Sequence, residues 1–348
     1  QKRVKMKKDN YYDRACALHQ ENPIVDTHLD LAAEVYLRHL MGEKNVIKNR
    51  YLEDFRKAGV NLIVSSIFVE NNELPYRGLE MTLNQIAALY QDVDSVSQYV
   101  SIVKNADDIK RVVDENKIGI MIYMEGLDII TSSPDILRAL YEMGVRGASL
   151  TWSRRNFLAE GCCTASKRVQ IPGGLSKLGK DTLHKLEELH MFVDVSHLND
   201  DGYAELVQET QKPFIASHSN ARGVYMNYRN MTDEQIRILG ERGGIMGMNA
   251  CSCIVGARPG QEGIEKICDH IQYIGKLIGY THVGIGMDLC DRYYEAGFHQ
   301  GYDRPQKPDD VIHDHGELPF ITAELLRRGV PETDIINIIG SNYIRYFT

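Results

Sequence analysis

No stretch of these 348 residues approaches the ~18 consecutive apolar residues that a bilayer-spanning helix needs. The best charge-free candidate, 243–257, is too short and is broken by glycine and cysteine. Positive charge is not in excess: 40 Lys+Arg stand against 48 Asp+Glu, a formal net charge of −8. That balance argues against a nucleic-acid binder with its basic face. Cysteine is scarce and odd in number, seven in all (16, 162, 163, 251, 253, 268, 290), so a disulfide scaffold is excluded. Neither Cys162-Cys163 nor Cys251-Ser252-Cys253 has the two-residue gap usual in structural zinc sites, and the seven read as buried or free thiols. Repeats of fixed period and low-complexity linkers are missing as well, which removes collagen-like, coiled-coil and disordered classes. The N-terminus carries Lys2, Arg3, Lys5, Lys7 and Lys8, yet Asp9-Asn10-Tyr11-Tyr12-Asp13 follows where a secretory signal would place an apolar run. A soluble chain is expected. Because it starts at Gln1, export with a leader removed and a cytoplasmic location both stay open.

What is present is alternation. Hydrophobic residues make up 43% and charged residues 25%, ordinary values for a globular chain able to bury a core. Eight short apolar runs read as strands: 23–27, 61–69, 118–124, 145–150, 191–195, 213–216, 244–248 and 282–287. Most are continuous in apolar character, as parallel strands buried on both faces require. Helical periodicity recurs between them, at 79–99, 106–115, 176–190, 200–210, 232–242, 261–277 and 318–328. In 79–99, for example, Leu79, Leu83, Ile86, Ala87 and Tyr90 form one apolar face. Eight strands alternating with helices predict an α/β fold, a (β/α)₈ TIM barrel, as one domain over 1–348. Residues 1–20 read as an N-terminal extension and 289–317 as a long loop near the site.

Polar residues collect where the strands end. The first run closes on Asp26-Thr27-His28-Leu29-Asp30, whose spacing puts His28 and Asp30 on one face if the chain is extended. The third closes on Glu125, the fifth on His197, the sixth on His218 and the eighth on Asp288. In a barrel the C-terminal strand ends converge on one rim, the place of active sites in this fold. Imidazole and carboxylate suit zinc, and six such groups exceed the needs of one four-coordinate ion. A carboxylate can bridge two ions ~3.5–4 Å apart, so a binuclear hydrolytic centre is expected. A single histidine is more often a surface or hydrogen-bonded core group. Several carboxylates buried together without a cation would be costly, which favours the metal reading for the set. His282, at the start of the eighth run, belongs to the opposite end; His184 and His190 read as surface residues of a helix. Arg154-Arg155 reads as solvated rim charge.

These residues resemble the membrane dipeptidase family (renal dipeptidase and its bacterial relatives), within the metal-dependent amidohydrolases. The similarity runs through 25–30 (VDTHLD), 123–126 (YMEG), 173–200, 217–222 (SHSNAR), Arg229-Asn230, 284–288 (GIGMD) and 340–347 (GSNYIRYF). The resemblance implies two zinc ions, one held by His28 and Asp30, the other by His197 and His218, bridged by Glu125 and a water or hydroxide. It implies proton transfer by Asp288 and capture of the substrate's terminal carboxylate by Arg229. Two departures stand out. Renal-type members carry a histidine in an LTH motif where Leu150-Thr151-Trp152 stands here; bacterial members read LTW followed by an asparagine, here Asn156. Trp152 and Asn156 are accordingly expected at the substrate, with altered specificity. The family's DFDG reads Asp288-Leu289-Cys290-Asp291. The expected activity is hydrolysis of dipeptides, L,L and also L,D, by a homodimer. An N-acyl-amino-acid deacylase on the same centre and a non-catalytic metal-binding barrel are the alternatives.

Overall fold

The computed structural model describes residues 6, 8–162, 171–296 and 309–348. Eight parallel strands form its centre: β1 (Ile24–Leu29), β2 (Val60–Phe68), β3 (Val100–Val103), β4 (Ile118–Glu125), β5 (Val145–Ser149), β6 (Phe192–Asp194), β7 (Met246–Met248) and β8 (Val283–Ile285). All residues of β1, β2 and β4 are buried, which is why these runs show no polar alternation. The hydrogen-bonded order is β6-β5-β4-β2-β1-β8-β7. Two parallel bridges, Asp194 to Ile215 and Ala216 to Met246, join the outer strands of that path and close the ring.

That closure corrects one expectation. Residues 213–216 do not form a strand of their own; only Ile215 and Ala216 reach a neighbour, one on each side. The expectation also missed β3. It pairs with β4 from Val100–Ile118 to Val103–Met121, and β5 takes over the same edge of β4 from Ile122 onward. β3 is only four residues long and its middle two are half-buried, so nothing in its pattern marked it.

The helices follow the expected periodicity closely, with Gly78–Ser95, Ala106–Asp114, Lys177–Glu188, Asp200–Glu209, Asp233–Glu241, Gln261–Ile278 and Leu318–Arg327 on the outside of the barrel. Their starts are chemically marked. Asn105, Ser176, Asn199 and Thr232 each cap the following helix through a side-chain oxygen, and Thr232 with Gln235 forms a full capping box. The segment read as an N-terminal extension contains a helix, Asn10–Glu21, packed against Leu318–Arg327. Tyr12 stacks against Phe320 at 4.4 Å, and buried His19 bonds to Ala58 O at 2.9 Å and Thr322 Oγ1 at 2.8 Å. No helix among the described residues is long and apolar enough to cross a membrane.

Candidate metal centre

Each polar strand end is delivered by a local device. Asp26 of β1 is fully buried, and its Oδ1 accepts the N–H of His28 (3.1 Å) and of Met287 (2.9 Å). Its other oxygen meets His315 Nε2 at 2.8 Å, so the ends of β1 and of the segment after β8 are pinned together. Glu125 closes β4, and Gly126 turns the chain at φ +80°; a Cβ there would press on Trp152 N at 3.0 Å. His197 (φ +71°) and Asp288 (φ +55°) both lie in the left-handed region, which non-glycine residues rarely adopt. Such backbone positions concentrate at functional sites, where the surroundings hold them in place.

The structure brings His28, Asp30, Glu125, His197, His218 and Asp288 together at the C-terminal end of the barrel. His28 Nε2 lies 3.6 Å from Glu125 Oε2, 3.7 Å from Asp288 Oδ1 and 3.9 Å from Asp30 Oδ1. Neither ring nitrogen of His28 has a hydrogen-bond partner, although the residue is completely buried. On the other side, Glu125 Oε1 lies 3.0 Å from His197 Nε2 and 3.3 Å from His218 Nε2, and those two nitrogens are 3.0 Å apart. Two groups of donors suit a metal ion by proximity: His28 with Glu125 and His218, and His28 with Asp30 and Asp288.

Hydrogen bonds behind the imidazoles set their lone pairs. Ser217 Oγ donates to Asp194 Oδ2 at 2.5 Å, so its oxygen is left to accept from His218 Nδ1–H at 2.6 Å. His218 Nε2 is then bare and faces the centre. Ser153 Oγ lies within hydrogen-bond distance of His197 Nδ1, at 2.8 Å. Such outer partners fix tautomer and ring orientation in metal sites. Asp194 also receives Tyr123 OH (2.6 Å) and the N–H groups of Ser196 and Ser217 (both 2.9 Å).

The electrostatics describe a pocket built for positive charge. Burial works against a charged His28, but Glu125, Asp288 and Asp30 outweigh it and push its pKa up to about 10. Burial drives His197 down to about 3, helped by Arg229, and pushes His218 well below the ordinary range. Burial and the neighbouring Glu125 carry Asp30 up to about 7 and raise Asp288. Glu125 is held well below the ordinary range: burial opposes its charge, but three histidines overcome it. A field that draws a proton onto His28 draws any cation, and the N/O donor set suits zinc and its neighbours.

The remaining expected residues divide. Arg229 is buried beside the cluster, donating to Ser219 Oγ (2.6 Å) and His218 O (2.8 Å), while its Nε–H has no partner. Trp152 is half-buried at the rim, its ring 5.8 Å from that of His197 and 5.1 Å from that of Phe68. Asn156 departs from the expected role. Its Nδ2 donates to Leu150 O and its Oδ1 accepts from Leu158 N and Ala159 N, so the amide shapes its own loop. Arg154 is no solvated rim charge: it grips Asp128 with two nitrogens and reaches Val69 O. Arg155 is exposed as expected. Of 289–317, residues 297–308 lie outside the described residues, while Cys290 lies 3.3 Å from Asp288 Oδ1 and His315 holds Asp26.

One positioning residue went unseen in the sequence. Asn249, just past β7, donates to Asp288 Oδ2 at 2.8 Å and is itself held by Cys251 N–H on its Oδ1 at 2.6 Å. The seventh run ends Met248-Asn249, a polar strand end like the others, and that was the available signal. A cavity of about 970 Å³ lies at the opposite end, lined by strand-start residues such as Phe192, Ile245 and His282. The converging polar groups, not this cavity, locate the chemistry.

The chain is similar to known proteins along most of its length. The profile of the membrane dipeptidase family (peptidase family M19) matches residues 12–348. A dipeptidase of Clonostachys rogersoniana, verJ, is 29% identical over 270 residues, 78% of this chain and 65% of that protein. The chain therefore spans a little under two thirds of that relative's length. An uncharacterized dipeptidase of Schizosaccharomyces pombe is 27% identical over 349 residues, 93% of this chain and 80% of that one. A metallopeptidase structure from Rhodobacter sphaeroides, liganded with a phosphinate mimic of the dipeptide L-Ala-D-Ala, superposes with a TM-score of 0.77 at 20% identity, covering 94% of this chain and 98% of that one.

Proposed function

The chain belongs to the membrane dipeptidase family (peptidase family M19), and from that premise we propose that it is a zinc-dependent dipeptidase centred on Glu125. The observation that carries the reading is the way Glu125 faces two donor groups at once. One oxygen lies toward His197 and His218, the other toward His28. In this reading His28 and Asp30 would hold one zinc ion and His197 and His218 a second, with Glu125 as the carboxylate shared between them. Bound zinc supplies Lewis acidity toward a carbonyl oxygen and makes a nearby water acidic near neutral pH.

Side chains supply the rest. Asp288, oriented by Asn249 and raised by burial, takes a proton from the attacking water and passes it to the leaving amine. Arg229 receives the substrate carboxylate. Its guanidinium is tied to the main chain of His218, so an anion seated on it is held next to the centre. This favours a substrate that ends shortly beyond the cleaved bond. Trp152 and Phe68 form an aromatic wall beside His197 for a substrate side chain. The family resemblance adds a homodimer and a single barrel domain over 1–348 to the same proposal.

The test is release of free amino acids from L,L- and L,D-dipeptides by zinc-loaded protein, with a chelated sample and an N-acetylated dipeptide alongside. The phosphinate bound to the Rhodobacter protein makes L-Ala-D-Ala the first substrate to try. Hydrolysis that vanishes on chelation and needs the free amine supports the proposal. Turnover of the acetylated compound alone would replace it with a deacylase. Two bound metals with no turnover of any substrate would replace it with a non-catalytic barrel.

A further inference from the structure

The turn that follows β7 carries two thiols with no part in the reading above. Cys251 is buried and caps the one-turn helix Ser252–Val255; Cys253, two residues on, is exposed. Their sulfurs lie 3.0 Å apart. Residues two apart in a chain have Cα atoms no more than about 7 Å from each other, within reach of a disulfide's ordinary Cα separation of roughly 4.4–6.8 Å. An accessible thiol next to a buried one that can resolve it is the arrangement of thiol–disulfide exchange sites.

The peptide between the two sulfurs is wired to both groups placed at the substrate. On one side the Cys251 N–H holds Asn249 Oδ1 at 2.6 Å, and Asn249 Nδ2 holds Asp288 Oδ2 at 2.8 Å. On the other, Cys253 O accepts from Asn227 Nδ2 at 2.9 Å, and Asn227 Oδ1 accepts the N–H of Arg229 at 2.9 Å. We infer that Cys251 and Cys253 form a site of reversible covalent modification, closed to an intrachain disulfide by low-molecular-weight disulfides such as glutathione disulfide, and that closure slows turnover.

The exchange balances as follows. The Cys253 thiolate attacks one sulfur of the small disulfide, breaks its S–S bond and expels one thiolate. Cys251, deprotonated, then attacks the Cys253 sulfur, breaks the mixed disulfide and expels the second thiolate. The protein loses two electrons and two protons, and the small disulfide is reduced to two thiols. The Cys251 thiol is pushed well up, by its hydrogen bond to the Cys253 sulfur and then by burial, which agrees with Cys253 acting first. Drawing the sulfurs to a bond of about 2 Å pulls the Cys251 N–H and the Cys253 carbonyl toward each other. Asn249 and Asn227 are bonded to those two backbone groups, and through them the strain of closure reaches Asp288 and Arg229 in this inference.

The effect on turnover rests on the dipeptidase reading; the exchange itself does not. Zinc-loaded full-length chain is equilibrated with defined ratios of reduced to oxidised glutathione. Peptide mapping then locates any disulfide, and dipeptide hydrolysis is followed in the same samples. The expected result is a Cys251–Cys253 disulfide that forms reversibly, with kcat/KM falling by about tenfold or more and returning on addition of dithiothreitol. The Cys253→Ser variant is expected to keep the reduced enzyme's activity and to ignore the glutathione ratio. A disulfide mapped to Cys290 or to no pair at all overturns the site, and an intact disulfide with unchanged turnover overturns its coupling to Asp288 and Arg229. If the reduced protein hydrolyses nothing, the dipeptidase reading fails while the peptide map still decides the exchange site.

Discussion

His19 and His28 are both sealed from water, one near each end of the barrel wall, and their charges are driven in opposite directions. His19 sits between a carbonyl and a hydroxyl that satisfy both ring nitrogens, and burial pushes its pKa down to about 4. His28 has no hydrogen-bond partner on either nitrogen and is surrounded by three carboxylates that, against burial, push it up to about 10. The carboxylates show the same split. Asp194 accepts four hydrogen bonds, two on each oxygen, and holds the barrel rim in shape. Asp30, Glu125 and Asp288 instead crowd one imidazole, each with an oxygen 3.6–3.9 Å from its Nε2. Fully satisfied buried polar groups are architecture. A buried imidazole left unsatisfied, with three carboxylates 3.6–3.9 Å from it, is prepared for a ligand whose charge the protein does not itself supply.

The sharpest way to break this comparison is Glu125→Gln. It removes the charge shared by both donor groups, so metal content by elemental analysis should fall and turnover drop by at least about 10²–10³-fold. Asp288→Asn should leave the metal in place and lower kcat by about 10²–10⁴-fold, and metal loss in this variant would erase the distinction drawn between the two carboxylates. Asp194→Asn tests the satisfied class: thermal unfolding should show a loss of about 2–4 kcal/mol, with metal affinity reduced about 10–100-fold through Ser217 and His218. Arg229→Lys keeps the charge but loses the planar fork, and KM for dipeptides should rise by about tenfold with kcat much less affected.

The last contrast is a pH dependence, and it belongs to His19. Its folded pKa of about 4 lies below the unfolded value of ~6.5, so the unfolded chain binds the extra proton between those limits. The stability tied to neutral His19 is complete above pH 6.5 and is lost as pH falls toward 4, a change of about 3 kcal/mol. Thermal unfolding followed across that window should be less steep with pH in His19→Gln than in the native chain.

Much of the centre was legible because a buried parallel strand has nowhere to put a polar residue except its end. His28, Glu125, His197, His218 and Asp288 each stand out against apolar runs for that reason. The residues that hold them were not legible. Asn249 and Asp288 are 39 positions apart, Ser153 and His197 are 44, and Asp194 and Ser217 are 23. No periodicity links such pairs. Asn156 and Arg154 misled for a related cause, since a polar residue in a loop reads the same whether it faces a substrate or closes its own turn. The short β3 and the two-residue bridge at 215–216 were equally hidden, because pairing through three or four hydrogen bonds needs no sequence pattern of its own.

The amino-acid sequence by itself determined the alternation of strand and helix, and with it the barrel whose C-terminal rim gathers the imidazoles and carboxylates, since burial on both faces dictates apolar strands and polar ends. Only the tertiary structure decided which of those groups remain unsatisfied, that the Ser217 hydroxyl sets the lone pair of His218 beside Glu125, and that Cys251 lies within one hydrogen bond of the side chain that holds Asp288. Satisfaction of a buried donor or acceptor is a property of what surrounds it in space, and the chain order records only what precedes and follows it.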